Sequence, residues 1–325
     1  MIRVENLVKA FGPKRAVDDI SFAVERGEVL GFLGPNGAGK STTMRIITGF
    51  YPPTAGRVSV GGHDIVDAPL PAKRLMGYLP ENAPGYADMT VHGFLGFVAD
   101  LRGLTGAAKK KAIDRAVETC FLEGVVHQTV DTLSKGYKHR TCLAQSILHD
   151  PDVLILDEPT DGLDPNQKHE VRGLIKRMGA NKAIVFSTHI LEEVELACTR
   201  VIIIDRGRIV ASGTPAELKA RGETAGAVRL AVRGRSADEV AAAAGAVAGA
   251  ARVEKLAADA SHATVRVYPK TRGDATLAAA VTELARAQGW QVDELVTEEG
   301  RMDDVFRAIT LPDTVRGASG QEARR

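Results

Sequence analysis

A glycine-rich stretch near the N-terminus, GPNGAGKST, restricts the possible folds of this chain more than any other part of the sequence. It matches the pattern G-x-x-x-x-G-K-[ST], follows the apolar run EVLGFL and leads into the helix-forming run TTMRIITGF. Glycines let successive backbone N–H groups curve around an anion. The sequence therefore predicts a strand, a phosphate-binding loop and a helix, in that order. The predicted phosphate-binding residues are Gly34, Pro35, Asn36, Gly37, Ala38, Gly39, Lys40, Ser41 and Thr42.

Two side chains of this loop have specific expected roles. Lys40 places a positive charge where the β- and γ-phosphates of a nucleoside triphosphate bind, and Ser41 offers a hydroxyl to Mg²⁺. A glycine-rich turn without a ligand is the alternative. The pattern and its strand–loop–helix context are specific enough to favour phosphate binding.

A second motif, DVLILDEP, predicts the residues that act on the bound phosphates. Its apolar residues, Val153 to Leu156, indicate a buried strand that ends at Asp157 and Glu158. Because ligands bind at this end of parallel strands, we expect Asp157 to hold Mg²⁺ through a water molecule. Glu158 is expected to orient or deprotonate the attacking water. Acidic residues also end strands for structural reasons, but together with the phosphate loop they favour a P-loop nucleoside triphosphatase.

Charge and hydropathy limit the surroundings in which such a chain works. A formal net charge of +1 gives no electrostatic reason to expect a nucleic-acid partner. The longest strongly apolar run, VIII at 201–204, is far shorter than the roughly 18 residues of a membrane span. The N-terminus lacks the apolar segment of a signal peptide. Any membrane-spanning partner would therefore be a separate chain. The cysteines Cys120, Cys142 and Cys198 fit neither a disulfide framework nor a metal-ligand spacing, so we expect reduced thiols and a cytoplasmic protein.

The order of predicted elements divides the chain into two domains and a tail. Residues 1–215 alternate strands and helices, which predicts an α/β core with a mainly parallel sheet, and residues 87–150 form a helical subdomain inserted into it. Residues 216–310 predict the order β-α-β-β-α-β of a small, ferredoxin-like α+β domain. The polar residues 311–325 are expected to be a disordered tail.

The stretch LSKGY lies about ninety residues after the phosphate loop and predicts another anion site. A run of helical periodicity follows it, so Ser134 is expected to cap a helix, with Lys135 and Gly136 in an exposed first turn. The N-terminus of a helix offers unpaired backbone N–H groups and a partial positive charge.

The order of these motifs resembles that of the ATP-binding-cassette (ABC) ATPases, whose usual signature is LSGGQ. Ser134 and Gly136 match that signature, whereas Lys135 and Tyr137 replace Gly and Gln. The resemblance implies that two cassettes pack head to tail around MgATP. Residues Ser134, Lys135, Gly136 and Tyr137 of one chain would then reach the γ-phosphate held by the partner's phosphate loop.

The resemblance assigns expected roles to four further positions. Asp164 in DGLD matches an acidic position at the dimer interface, and His189 in STHI matches the histidine that contacts the γ-phosphate. Phe11 resembles the aromatic residue that stacks on adenine, with a core or turn aromatic as its rival. Glu81 stands where the family usually has Gln, near Mg²⁺ and the attacking water, and we expect the metal to compensate its charge.

A single cassette with a C-terminal extension resembles the ATPase subunits of bacterial ABC-2-type exporters, including the group associated with gliding motility and with drug and sodium efflux. This implies transmembrane permease subunits on separate chains, and a second copy of itself or a paralogous cassette. It also implies a place on the cytoplasmic face of the cell membrane.

Two alternatives of other classes remain at the sequence level. One is a soluble ABC ATPase that acts on the ribosome or DNA, although the chain has one cassette, no heptad run and no cysteine cluster. The other is a nucleotide-binding scaffold without hydrolysis, which the presence of Asp157, Glu158 and His189 disfavours. The sequence leaves two roles open for the C-terminal domain: regulation or support of the dimer, and a stabilising appendage.

Overall fold

The computed structural model describes residues 1–82, 85–258, 262–272 and 276–310. The chain divides into two compact units, of which the first is Met1–Thr214 and the second begins at Pro215. The expected disordered tail, 311–325, lies outside the described residues. No helix in the described ranges is both long enough and apolar enough to cross a membrane.

Among its described residues, the first unit contains ten strands in two sheets. The strands are β1 (Ile2–Phe11), β2 (Lys14–Val24), β3 (Val29–Leu33), β4 (Ala55–Val60), β5 (His63–Asp64), β6 (Met76–Leu79), β7 (Val153–Asp157), β8 (Ala183–Thr188), β9 (Arg200–Asp205) and β10 (Arg208–Gly213). One sheet has the order β2-β1-β4-β5 with antiparallel neighbours, and the other has the order β10-β9-β3-β8-β7-β6.

The six-stranded sheet is parallel except for its edge strand β10. This confirms the predicted α/β class with a mainly parallel sheet. In β7, Val153 and Ile155 pack into the core that includes the first helix, whereas Leu154 and Leu156 pack into the core that includes the inserted helices. Burial on both faces explains why the strand reads as a continuous apolar run.

Helices cover both faces of that sheet. Those of the first unit are α1 (Lys40–Ile47), α2 (Pro69–Arg74), α3 (Val91–Leu101), α4 (Gly106–Thr119), α5 (Lys135–Ile147), α6 (Pro165–Gly179) and α7 (Leu191–Ala197). Helices α3, α4 and α5 lie between β6 and β7 in the chain and share one apolar core. Thr90 caps α3 by accepting a hydrogen bond from the backbone N–H of Gly93 at 3.0 Å.

The second unit begins with a short helix, α8 (Pro215–Lys219), and has its own core. Its remaining elements are β11 (Val228–Arg233), α9 (Ala237–Gly245), β12 (Ala250–Ala258), β13 (His262–Pro269), α10 (Thr276–Ala287), β14 (Gln291–Thr297) and α11 (Met302–Ile309). The strands form an antiparallel sheet of order β12-β13-β11-β14. Leu230 and Val265 are among the buried residues that pack this sheet against α9 and α10.

Candidate active site

The phosphate loop joins β3 to α1, and two of its glycines have no room for a side chain. Gly39 caps α1 with a φ of 110°, and a Cβ there would lie 2.5 Å from the carbonyl oxygen of Ala16. A Cβ on Gly34 would overlap the carbonyl oxygen of Ile204. The loop therefore curls tightly against neighbouring backbone, and its conformation depends on glycine at both positions.

The side chain of Lys40 lies inside this loop. Its Nζ donates hydrogen bonds to the carbonyl oxygens of Gly34 at 2.7 Å and Pro35 at 3.3 Å. Burial lowers the pKa of the Lys40 ammonium group, and the negative charges of Glu158, Asp157 and Glu81 oppose that shift. The loop thus holds a buried cation next to acidic side chains.

Asp157 is buried at the end of β7 and is held in place through one of its carboxylate oxygens. Ser41 Oγ donates to Asp157 Oδ1 at 3.1 Å, and Ser187 Oγ donates to the same oxygen at 2.5 Å. Within the described part of the chain, Asp157 Oδ2 is buried without a hydrogen-bond partner. A buried carboxylate oxygen beside a serine hydroxyl fits a Mg²⁺ ion, which typically takes one or two carboxylates together with phosphate and water.

The described residues contain no cluster of three or more His, Cys, Asp or Glu that could enclose a metal ion.

Glu158 follows directly and adopts an uncommon backbone conformation. Its φ is 51°, in the left-handed region that non-glycine residues rarely enter. Glu158 Oε1 lies 3.9 Å from Lys40 Nζ, and Oε2 lies 3.1 Å from Nδ1 of His189. Burial raises the pKa of the Glu158 carboxyl, and the hydrogen bond with His189 opposes that rise. A carboxylate with a raised pKa at the edge of a cleft is suited to accept a proton.

One cleft of about 330 Å³ brings the phosphate loop together with three other predicted side chains. It is lined by Phe11, Lys14, Ala16, Asn36, Gly37, Gly39, Lys40, Ser41, Thr42, Glu81 and Glu158. Lys14 and Ala16 were missed by sequence reasoning. Both residues follow shortly after Phe11, in a strand that contacts the phosphate loop, and this position could have indicated that they line the cleft.

Phe11 lies at the end of β1 with 44% of its surface exposed, so it is not a core residue. Its ring meets the edge of the Tyr51 ring at a centroid distance of 5.5 Å, and Lys9 Nζ lies 5.1 Å from its centroid. A supported but exposed ring at the rim of the cleft leaves a surface on which a flat base could stack.

None of the signature residues lines this cleft. Ser134 caps α5 by accepting from the backbone N–H of Tyr137 at 3.4 Å, as predicted. Lys135 is exposed and forms an ion pair of 2.8 Å with Asp161 in the loop after β7. The expectation of an exposed Gly136 was wrong, because Gly136 is buried and a Cβ there would lie 2.7 Å from Gln167 Oε1.

Two other predicted residues also have local structural roles. Tyr137 is partly buried and packs against the core of the inserted helices. Asp164 caps α6 by accepting from the backbone N–H of Gln167 at 2.9 Å. The N-terminal ends of α5 and α6 therefore lie side by side, with Gln167 close to both.

Comparisons with known proteins identify the family of this chain. The sequence profile of the family described as "ABC transporter" matches residues 17–161. The linearmycin resistance ATP-binding protein LnrL of Bacillus subtilis (strain 168) is 38% identical over 223 residues, which cover 68% of this chain and 71% of LnrL. A protein of Escherichia coli (strain K12) named "Probable multidrug ABC transporter ATP-binding protein YbhF" is 38% identical over 225 residues. That alignment covers 68% of this chain but only 38% of YbhF.

A solved structure described as the ATP binding subunit of an ABC transporter superposes with a TM-score of 0.63 at 31% sequence identity. The match covers 67% of this chain and 92% of that chain. The matched profile, residues 17–161, includes the phosphate loop, and this family uses ATP with Mg²⁺. The chain therefore belongs to the ATP-binding proteins of the ABC transporter family.

Proposed function

We propose that this chain binds MgATP, hydrolyses it and thereby drives export through membrane subunits carried on separate chains. One observation carries the proposal: Lys40, Ser41 and Glu158 line a single cleft together with an exposed aromatic ring, and the buried Asp157 is hydrogen-bonded to Ser41. A nucleotide base, a phosphate chain and a metal ion each find a chemically matching part of this cleft.

Hydrolysis assigns a separate task to each side chain. The backbone N–H groups of the loop and Lys40 bind the phosphates, and Ser41 with Asp157 would hold Mg²⁺, which offsets the negative charge of the phosphates. Glu158 accepts the proton of the attacking water. His189 orients Glu158 through their 3.1 Å contact. Glu81 lies at the rim of the cleft, where it can approach the metal and the water.

We propose that the signature completes the site of a second copy of this chain or of a paralogous cassette. The cleft of one chain lacks any contribution from Ser134–Tyr137, and Ser134 and Lys135 are exposed. A capped helix N-terminus that faces solvent can bind an anion brought by another molecule. Asp164 caps the neighbouring helix and would lie in the same interface.

A second cleft, of about 370 Å³, supports docking of a membrane subunit. It is lined by Thr48, Gly49, Phe50, Lys73, Met76, Tyr78 and Arg102. Phe50 is 67% exposed, and Lys73 adds a positive charge beside it. The cleft also borders β6, which leads directly to Glu81. A docked permease segment would therefore contact the strand that leads to the nucleotide site. Docking of this kind would hold the chain on the cytoplasmic face of the membrane.

Export is favoured by the names of the relatives, which refer to multidrug transport and linearmycin resistance. The balanced charge of this chain, +1, gives no support to the alternative of a nucleic-acid or ribosome partner.

The Glu158→Gln variant tests the proposal. We expect ATP turnover to fall at least about a hundredfold, because the amide cannot accept the proton, while MgATP binding is retained. Because bound MgATP is no longer consumed, this variant should also become dimeric in size-exclusion chromatography with MgATP. A variant that keeps its turnover, or that remains monomeric at saturating MgATP, would contradict hydrolysis by Glu158 or the shared site, respectively.

A further inference from the structure

A buried carboxylate outside the cleft connects the two loops that carry the proposed hydrolytic residues. Glu193 lies in α7 and is 1% exposed. Its Oε1 accepts a hydrogen bond from the hydroxyl of Thr160, and its Oε2 accepts one from the hydroxyl of Thr188 at 2.7 Å. Both threonines are themselves almost fully buried. Nothing in the expected chemistry uses Glu193, and sequence analysis did not single it out.

The other hydrogen bond of Thr188 is compatible with donation from its hydroxyl to Glu193. Thr188 Oγ1 accepts from the backbone N–H of Ile190 at 3.0 Å, so its own hydrogen is free to point at Glu193. An ionised carboxylate accepts hydrogen bonds and donates none, so it matches two donating hydroxyls. An amide in its place would present one acceptor and one donor to the same pair.

The two threonines lie next to the hydrolytic pair in the chain. Thr160 follows Glu158 by two residues, and Thr188 immediately precedes His189. The left-handed backbone of Glu158 needs support from its surroundings. On its N-terminal side, the Glu158 N–H donates to Ser187 Oγ at 3.0 Å. On its C-terminal side, the link from Thr160 to Glu193 provides the corresponding support.

We propose that Glu193 is a positioning residue for ATP hydrolysis: by bridging Thr160 and Thr188 it fixes the loop after β7 against the C-terminal end of β8, and so holds His189, the next residue, at Glu158. The inference rests on the roles proposed above for Glu158 and His189. Small displacements of reacting groups have large effects on rate, so a loosened bridge should reduce turnover although Glu193 touches no phosphate.

The test is Glu193→Gln in two backgrounds. In the otherwise unchanged protein we expect kcat for ATP to fall about tenfold, while KM for MgATP changes less than about twofold. In the His189→Ala background the contact to be positioned is already absent. The same substitution should then reduce kcat by less than about twofold, because residues that act through one contact are not additive. A purely structural role would instead give the same factor in both backgrounds.

Variants of Thr160 provide an independent route if Glu193→Gln folds poorly. Thr160→Ser keeps the hydroxyl and should retain near-normal kcat, whereas Thr160→Val removes it at similar volume and should show the same loss as Glu193→Gln. The matched control is Glu192→Gln, one residue away on α7, whose side chain is 69% exposed and pairs with Arg172. This control should leave kcat unchanged.

Three results would overturn the proposal: unchanged kcat in Glu193→Gln, equal losses in the presence and absence of His189, or a rise in KM as large as the fall in kcat. Failure of the proposed function is recognised separately, because Glu158→Gln would then retain turnover whatever the Glu193 variants do.

Discussion

At the scale of single residues, two buried groups of opposite charge face each other across the phosphate loop. Lys40 Nζ lies 3.9 Å from Glu158 Oε1, and burial disfavours the charged form of both, lowering the pKa of the lysine and raising that of the glutamate. Each charge therefore depends on the other. A phosphate chain that draws Lys40 toward itself also changes the environment of Glu158.

The raised pKa of Glu158 predicts an acid limb in the pH dependence of ATP turnover. A base works only when ionised, so kcat should fall as pH drops through the pKa of Glu158. The hydrogen bond with His189 lowers that pKa, and its loss in His189→Ala should move the acid limb to higher pH. We expect this shift in pH–kcat profiles at saturating MgATP, and none in a His63→Ala control on the exposed strand β5. An acid limb that stays in place or moves to lower pH would contradict the assignment.

At the scale of elements, the sequence predicted features that depend on neighbouring residues, but not those that depend on contacts between different elements. The strand that ends at Asp157 and the helix capped by Ser134 were both predicted, because an apolar run or a helix cap consists of residues that are adjacent in the sequence. The burial of Gly136 was not, because it depends on Gln167 in another helix. The bridge at Glu193 was missed for the same reason, since its partners are 33 and 5 residues away.

Two of the ion pairs formed by α5 should differ in strength. In the first pair, the side chains of Lys135 and Asp161 are 68% and 47% exposed, respectively. In the second pair, the side chain of Arg140 is 7% exposed and lies 2.6 Å from Glu170. Lys135→Met should cost less than about 1 kcal/mol of unfolding free energy. Arg140→Met should cost about 2 kcal/mol, because a nearly buried side chain loses its hydrogen bond to Glu170, which is itself 41% exposed, and its contact with the Phe121 ring. Urea unfolding of both variants measures the difference, and equal midpoints would refute it.

At the scale of the whole molecule, the order of motifs predicted the family and the class of fold, because each motif is short and chemically constrained. The division of labour between two copies is a different matter. It follows from the resemblance and from the absence of Ser134–Tyr137 at the cleft of their own chain, and it stays a prediction.

Mixing two defective chains tests that division directly. Lys40→Ala removes the phosphate cation and Ser134→Arg blocks the signature, so each homodimer has two damaged sites. A mixed dimer would place both lesions in one site and leave the other intact. We therefore expect an equal mixture to recover ATP turnover above both parents, up to about a quarter of the wild-type value, since half of randomly formed dimers are mixed. An unimproved mixture would indicate that each chain completes its own site.

The left-handed turn at Glu158 has one further consequence for how this motif can vary. Neighbouring residues of a strand point to opposite faces, so Asp157 and Glu158 could not both serve one cleft if β7 simply continued. The left-handed conformation of Glu158, the first residue after β7, interrupts this alternation of side chains. Insertion or deletion of one residue in β7 would turn the Asp157 side chain to the opposite face of the sheet. We therefore expect β7 to tolerate substitution of one apolar residue by another, but not a change in the number of its residues.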